Sequence, residues 1–451
     1  MLLFPLTYLF AFLKTVKGFS ERKIGALLIF ICIALPIYIN SLSVMHMWGF
    51  TAALPALQWA KEFVVMVALG LVAYALQEKP KLGVTDKLVL TFLVGSATYV
   101  FIPLGSFGFF DKLLALKSVA FFTLLYAIGR LISIKEVVLG KLVGYIAGIT
   151  LLAAIVVIGE FMLYEHLHAH TGFADFIEDI FGTERTGHYD LLWTFEIESG
   201  AKRFGSIFSN PLEFAAAMSL SISLCLSYYT NEQGAFQWNK NSTFFIVASF
   251  VGIILALSRA SFLGFMVAIY LYALITKNAF LRKAFYLLLL IAAAYLIYFL
   301  SQHDFYDFII NTITFSNASS LGHVLEWVEG IEAMSMNPLG LGLGESGRVS
   351  GFSGDHTGGE NQFIITGVQL GVPLLLIYVG IHISLIRMAW KNRIASIGKL
   401  RRLALGLFLF KIGFLIPMFT ANTESYIYLS YLSWFLSGYM VNLVGKANPN
   451  N

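Results

Sequence analysis

Apolar runs close to the roughly 20 residues needed to cross a bilayer recur along almost the whole chain, separated by short polar breaks. They fall at 24–42, 57–77, 88–104, 113–134, 142–164 and 211–230, then at 243–258, 260–276, 285–300, 363–386, 403–420 and 425–443. The pattern predicts an all-α integral membrane protein with about twelve transmembrane helices, several of them near the short limit of about 17 residues. An opening apolar run, 1–13, has no basic stretch before it and no small-residue cleavage site behind it, so it is expected to stay at the membrane interface. Two breaks, 165–210 and 301–362, are far longer than a connection requires. The chain therefore reads as one polytopic domain, 1–451, with two elaborated loops.

Charge gives this pattern an orientation. Lys14, Lys17, Arg22 and Lys23, then Lys79, Lys81 and Lys87, then Arg130, Lys135 and Lys141, then Lys277, Arg282 and Lys283, and finally the basic stretch 387–402 occupy alternate loops. Lys and Arg near span ends are retained in the cytoplasm, so these loops and both termini are expected there, with both long loops extracytoplasmic. The second long loop fits that side, with Arg348 against Asp304, Asp307, Glu326, Glu329, Glu332, Glu345, Asp355 and Glu360. Composition excludes a soluble globular protein: 58% of residues are hydrophobic and 12% charged, and the mean hydropathy is +0.77. The bilayer is the expected solvent. The net charge of +4 is a poor guide to partners, and no nucleic acid is expected among them. Cys32 and Cys225 both lie in apolar runs and read as small core residues. No DxD metal motif occupies a basic loop of adequate size, which weighs against a cytoplasmic nucleotide-sugar transferase.

Candidate chemistry concentrates in the long loops. RFGSIFSNPLEFA opens with Arg203 and runs into a span, with Asn210 placed to cap it and Pro211 at its first helical position. Arg259 lies in LALSRASFLG, at the turn of a tight hairpin on the same face. Fixed cations at membrane depth are costly unless an anion meets them, and a lipid-borne diphosphate suits two guanidinium groups. SSLGHVLEWVEGIEAMSMNP reads as an amphipathic helix capped by Ser320 and stopped at Asn337-Pro338. Leu321, Val324, Leu325, Val328 and Ile331 take one side; His323, Glu326, Trp327 and Gly330 take the other, where a sugar ring could stack on the tryptophan. Gly342, Gly344 and Gly347 formally satisfy GxGxxG, but no strand precedes them, and closely approaching backbone is the better use of these glycines. His356, Glu360 and Asn361 stand above the next span, with Glu360 beginning its helix. A carboxylate there is favoured by the helix dipole and is also positioned to take a proton from a hydroxyl.

Taken in order, these segments resemble the O-antigen ligase and polymerase superfamily, multi-pass bacterial enzymes acting on undecaprenyl-diphosphate-linked glycans. RFGSIFSNPLEFA is similar to the family's Arg-x-Gly-x-x-x-Asn-Pro element and LALSRASFLG to its Ser-Arg hairpin. HVLEWVEGIEAMSMNPLGLGLG resembles the tryptophan helix with its Pro-x-Gly-x-Gly segment, and ENQFIITGVQLGVP the last loop-to-span junction. The resemblance implies inverting, metal-independent glycosyl transfer at the outer face of the bacterial inner membrane, with no cofactor. Its implied partners are an undecaprenyl-diphosphate-linked oligosaccharide, a sugar acceptor, the bilayer and other polysaccharide-assembly proteins. Arg203 and Arg259 carry over as diphosphate ligands, and Glu326, Trp327 and Asn361 are candidates for holding the acceptor sugar. Departures leave the base open among Glu360, His323 and His356, because Glu360-Asn361 stands where ligases have His-Asn and His323 where many relatives have arginine. Loss of the ligase-type histidine favours a polymerase of O-antigen or exopolysaccharide repeat units. A ligase to lipid A core and a flippase for lipid-linked glycans are the alternatives.

Overall fold

In hydrocarbon a single segment satisfies its own backbone hydrogen bonds only as a helix, and helix dominates the computed structural model. The structure describes residues 1–76, 80–197, 200–302, 318–347 and 357–447; within them the side chains of 288, 292, 293, 295–302, 318–321 and 323 are outside the description. Among the described residues the only extended pairings are two isolated bridges, Glu196 with Lys202 and Thr230 with Phe236. In chain order the helices are α1 (Leu3–Ser20), α2 (Ile24–Ala34), α3 (Tyr38–Met47), α4 (Leu54–Tyr74), α5 (Val84–Thr98), α6 (Phe109–Ala120), α7 (Phe122–Leu131), α8 (Leu139–Leu163), α9 (Leu167–His170) and α10 (Phe173–Phe181). They continue as α11 (Pro211–Tyr228), α12 (Lys240–Leu255), α13 (Arg259–Ile275), α14 (Ala279–Gln302), α15 (Ala318–Met336), α16 (Gln362–Ala395), α17 (Gly398–Met418) and α18 (Ile427–Ala447).

Among the described residues, five helices are long and apolar enough to cross a bilayer: α4, α8, α11, α16 and α18. Two bent pairs, α2 with α3 at 63° and α6 with α7 at 52°, raise the number to seven if each is one span. A membrane-protein architecture stands on these helices. The straight spans expected at 24–42 and 113–134 do not form. Pro36 sits in the first break, where it lacks the donor a continuous helix needs. The second break, at Phe121, contains neither Gly nor Pro; there the Thr123 hydroxyl donates to Ala120 O at 2.7 Å, a local bond that competes with the helix ladder. The expected 363–386 span lies inside the longer α16, which is interrupted by Gly371 (φ 75°, ψ 169°) just ahead of Pro373.

Helices approach one another most closely through glycine. Gly129 of α7 lies against the backbone of α18 at Phe435, and Gly438 of α18 against Tyr126 of α7, so a Cβ at either would overlap a carbonyl oxygen. Gly264 of α13 and Gly413 of α17 meet in the same reciprocal way. Without a hydrophobic drive between helices in lipid, such close backbone packing supplies the van der Waals contact that holds them. At the centre, α11 is buried from Phe214 to Ser227, enclosed by α8, α12, α13, α17 and α18.

The amphipathic helix forms as α15 and stops before Asn337-Pro338, but Ser320 already lies within the helix described from Ala318 and is not the cap. Its apolar side is the exposed one: Leu325, Val328 and Ile331 are each more than half exposed, while Gly330 is buried against Gly358 and Ile364. The side carrying Glu326 and Trp327 is thus turned toward the protein.

The Gly264–Gly413 crossing fixes the hairpin that carries Arg259. Gly264→Val should lower the thermal unfolding midpoint of the purified protein, by the equivalent of about 1–3 kcal/mol of overpacking. Gly144→Val, at a position with open space around it, should not. Equal midpoints for the two variants would contradict this packing.

Candidate functional site

Arg203 is placed by the way the first long loop is tied down. Near the end of α8, Glu160 is buried and its carboxylate accepts from Leu167 N and Ser206 N, each at 2.8 Å. One side chain thereby holds both ends of the loop. Ser206, in the left-handed region at φ 53°, donates its hydroxyl to Ala153 O at 2.7 Å. Asn210 caps α11 as expected, its Oδ1 accepting from Leu212 N at 3.0 Å and Glu213 N at 2.9 Å. Between these anchors Arg203 N donates to Phe195 O at 2.8 Å, and Phe204 N reaches Leu255 O at the end of α12 at 3.4 Å. That last bond joins the Arg203 segment to the hairpin, where Leu257 turns the chain at φ 48° and Arg259 starts α13 behind its cap, Ser258.

Burial pushes the Arg203 guanidinium below its ordinary value, Arg259 pushes it the same way as a neighbouring like charge, and Glu360 and Tyr426 pull it back. Four groups from four separate stretches of chain therefore share one neighbourhood. Arg203 Nε is buried and has no hydrogen-bond partner among the described residues, while Arg259 is exposed. Two fixed cations face one carboxylate, which leaves the site with positive charge to spare for an anion.

Glu360 stands one residue outside the helix it was expected to begin. Asn361 is the cap: it is buried, and its Oδ1 accepts from Phe363 N at 2.9 Å and Ile364 N at 3.2 Å. The two residues before Glu360, Gly358 (φ 86°) and Gly359 (φ 61°), bring the chain so close to α15 that a Cβ on Gly359 would overlap the Glu326 carboxylate. Glu326 is thus packed against the residue that precedes Glu360. Trp327 is half-buried, and its Nε1 is buried with no partner among the described residues. His356 and the His323 side chain lie outside the described residues.

The glycine-rich segment after α15 uses its backbone on α16. Leu341 N donates to Val368 O at 2.7 Å, Gly342 N to Gln369 O at 3.2 Å, and Gly344 N to Gln369 Oε1 at 2.9 Å. Gln369 Nε2 in turn donates to Ser346 O at 2.8 Å, and Val372 N, just past the break at Gly371, to Pro338 O at 2.9 Å. Donors that a phosphate-binding loop would present are engaged here, in agreement with rejecting the nucleotide motif.

Several buried or half-buried polar residues were not singled out from the sequence. Glu213 accepts from Tyr428 N at 2.9 Å and from the Ser209 hydroxyl, fastening the Asn-Pro element to the start of α18. Glu424 accepts from Tyr378 OH at 2.8 Å, Ser430 OH at 2.7 Å and Trp434 Nε1 at 3.0 Å, and its own N donates to Gln362 Oε1 at 3.0 Å. These bonds set the segment that presents Tyr426 to Arg203. Lys411 lies 4.6 Å above the Trp434 ring. Charged residues inside apolar runs, as in FLFKIGF, were the available signal.

Comparison with known proteins adds a family. Residues 244–379 match the family model described as O-antigen ligase. The match takes in the Arg259 hairpin, α15, the glycine segment and the first half of α16, and it bears out the resemblance to the O-antigen ligase and polymerase superfamily. Apolar helices and this match together indicate a bacterial inner-membrane protein, a glycosyltransferase-like enzyme of the ligase or polymerase type acting on lipid-linked glycans. No curated protein matches the chain.

The first loop also buries two histidines beside the Arg203 segment. His166 packs among Tyr189, Phe195 and Phe204, and neither of its ring nitrogens has a partner among the described residues. Burial, then His168 and Lys202, push His166 down to about 3; burial pushes His168 down to about 4 against its bond to Phe208 O. Both are held neutral in the fold, so their contribution is full above the ordinary value of 6.5 and is lost as pH falls toward 3–4. Each proton costs up to about 1.4 kcal/mol per pH unit. Replacing His166 by Phe should flatten the decline of the unfolding midpoint between pH 6.5 and 4. An unchanged decline would contradict this reading.

Proposed function

We propose that this protein catalyses glycosyl transfer from a polyprenyl-diphosphate-linked glycan to a sugar hydroxyl at the outer face of the membrane, and that it polymerises O-antigen or exopolysaccharide repeat units. The observation that carries the reading is the half-buried Arg203, with a free Nε–H, in the combined field of Arg259 and Glu360. Two guanidinium groups grip a diphosphate through charge-assisted bonds, and their attraction grows as charge builds on it during bond breaking.

In this reading the acceptor hydroxyl oxygen attacks the anomeric carbon of the donor sugar. A new glycosidic C–O bond forms as the C–O bond to the diphosphate breaks, and the bonding pair stays on the diphosphate oxygen beside Arg203 and Arg259. Glu360 takes the hydroxyl proton, a contribution of about a hundredfold to ten-thousandfold. A single displacement inverts the anomeric centre. His323 and His356 are the alternative bases, and Glu326 and Trp327, on the protein-facing side of α15, would hold the acceptor. Asn361 is spent on its helix cap through Oδ1, so only its amide N–H groups are available to a sugar. The polymerase assignment rests on Glu360 standing where ligases have histidine.

Purified protein in liposomes, given lipid-linked repeat units, should lengthen glycans. Arg203→Ala and Arg259→Ala should each cut the rate by about a hundredfold or more while the protein still inserts, and Glu360→Gln should cut it by a similar factor. A near-normal rate for either arginine variant removes that residue from the site. Full rate in Glu360→Gln with loss in His323→Ala moves the base to α15, and translocation without chain growth would make the protein a transporter.

A further inference from the structure

Beside the arginine site, across the segment that carries Tyr426, lies a separate cavity of about 400 Å³. Glu424, Ser425 and Ile427 line it on one side, and Ile180 and Phe181, at the end of α10, also contribute. Its polar wall comes from α4 and α6. Lys61, buried, donates to Tyr38 OH at 2.7 Å and Gln58 O at 2.8 Å, and lies 3.2 Å from Glu62 Oε1. Lys117 donates to the same Oε1 at 3.0 Å and sits 5.6 Å from the centre of the Trp59 ring.

Two features of this wall point to a ligand. Glu62 is only 6% exposed, yet its Oε2 has no hydrogen-bond partner among the described residues, so a buried acceptor is left for a donor to meet. Lys117 is the second: its side chain is 38% exposed and spends one donor on Glu62, leaving ammonium hydrogens to meet an anion, whereas Lys61 is engaged by Tyr38, Gln58 and Glu62, and Glu424 is satisfied by Tyr378, Ser430 and Trp434. Trp59, 58% exposed at the rim, adds an apolar platform.

We propose that this cavity binds an acidic sugar unit of the glycan. Its hydroxyl groups donate to Glu62 Oε2, its carboxylate pairs with Lys117, and its ring face rests on Trp59. Inorganic phosphate lacks the ring, and a neutral hexose lacks the anion; a uronic acid supplies the hydroxyl donors, the charge and the ring together.

The inference extends the glycan reading of the neighbouring site, but binding is measured without turnover, so the two can fail separately. The full-length protein in lipid nanodiscs is examined by ligand-observed saturation-transfer NMR with glucuronate and with glucose, and with inorganic phosphate as competitor. Glucuronate should show saturable transfer, weaker by about tenfold or more in Lys117→Ala and in Trp59→Ala, and weaker for glucose than for glucuronate. Arg203→Ala should keep glucuronate binding even where chain growth is lost. Absence of saturable transfer, equal binding in the Lys117 and Trp59 variants, equal binding of glucose, or displacement by equimolar phosphate would each overturn the assignment.

Discussion

A guanidinium group cannot shed its charge within the range of pH a protein meets, and this constraint organises the outer end of the molecule. Arg203 is held half-buried, next to a second arginine, at the edge of an apolar bundle. Such an arrangement is costly, because like charges oppose each other where water is scarce. It persists because the surrounding fold over-determines it. Glu160, Asn210, Glu213 and the bond from Phe204 to Leu255 each fix a different point of the chain around Arg203. In the proposed function a lipid-borne diphosphate would relieve that same repulsion.

The rest of the bundle serves that placement. Glycine crossings allow α7 to meet α18 and α13 to meet α17 at backbone distance, which keeps the Arg259 hairpin in register with the helices beneath it. On the other side of the site, the break in α16 at Gly371 receives the glycine-rich segment, and the paired glycines Gly358 and Gly359 receive α15. The second long loop is therefore docked onto α16 by close backbone contact where it leaves α15 and again where it rejoins the bundle. In the proposed reaction, donor lipid, acceptor and base meet only if those contacts hold the two loops in place.

Much of this was legible in the sequence, for identifiable reasons. Helices follow from apolar runs, and the Asn-Pro cap is a local motif that the structure reproduces. Arg203 and Arg259 stood out because charge at membrane depth needs an explanation. The sequence also showed Pro36, but not the bend at Phe121, which depends on local side-chain bonding and on what packs around it. Asn361, read from the sequence as a sugar-binding candidate, also caps α16 through its Oδ1, a local role open to any asparagine before an apolar run. The protein-facing sense of α15 was hidden because amphipathicity gives two sides and not their direction. Tyr426, Glu424 and the Lys61–Glu62–Lys117 cluster depend on contacts between distant stretches of chain, for which one sequence offers only the oddity of charge inside apolar runs.

Cryo-electron microscopy of the protein bound to undecaprenyl diphosphate, the leaving group of the proposed reaction, tests the central claim most directly. The account predicts the diphosphate lying between the Arg203 and Arg259 guanidinium groups, with one phosphate oxygen within hydrogen-bond reach of Arg203 Nε and the Glu360 carboxylate nearby. A diphosphate seated elsewhere, with the two arginines turned apart toward lipid or solvent, would contradict it.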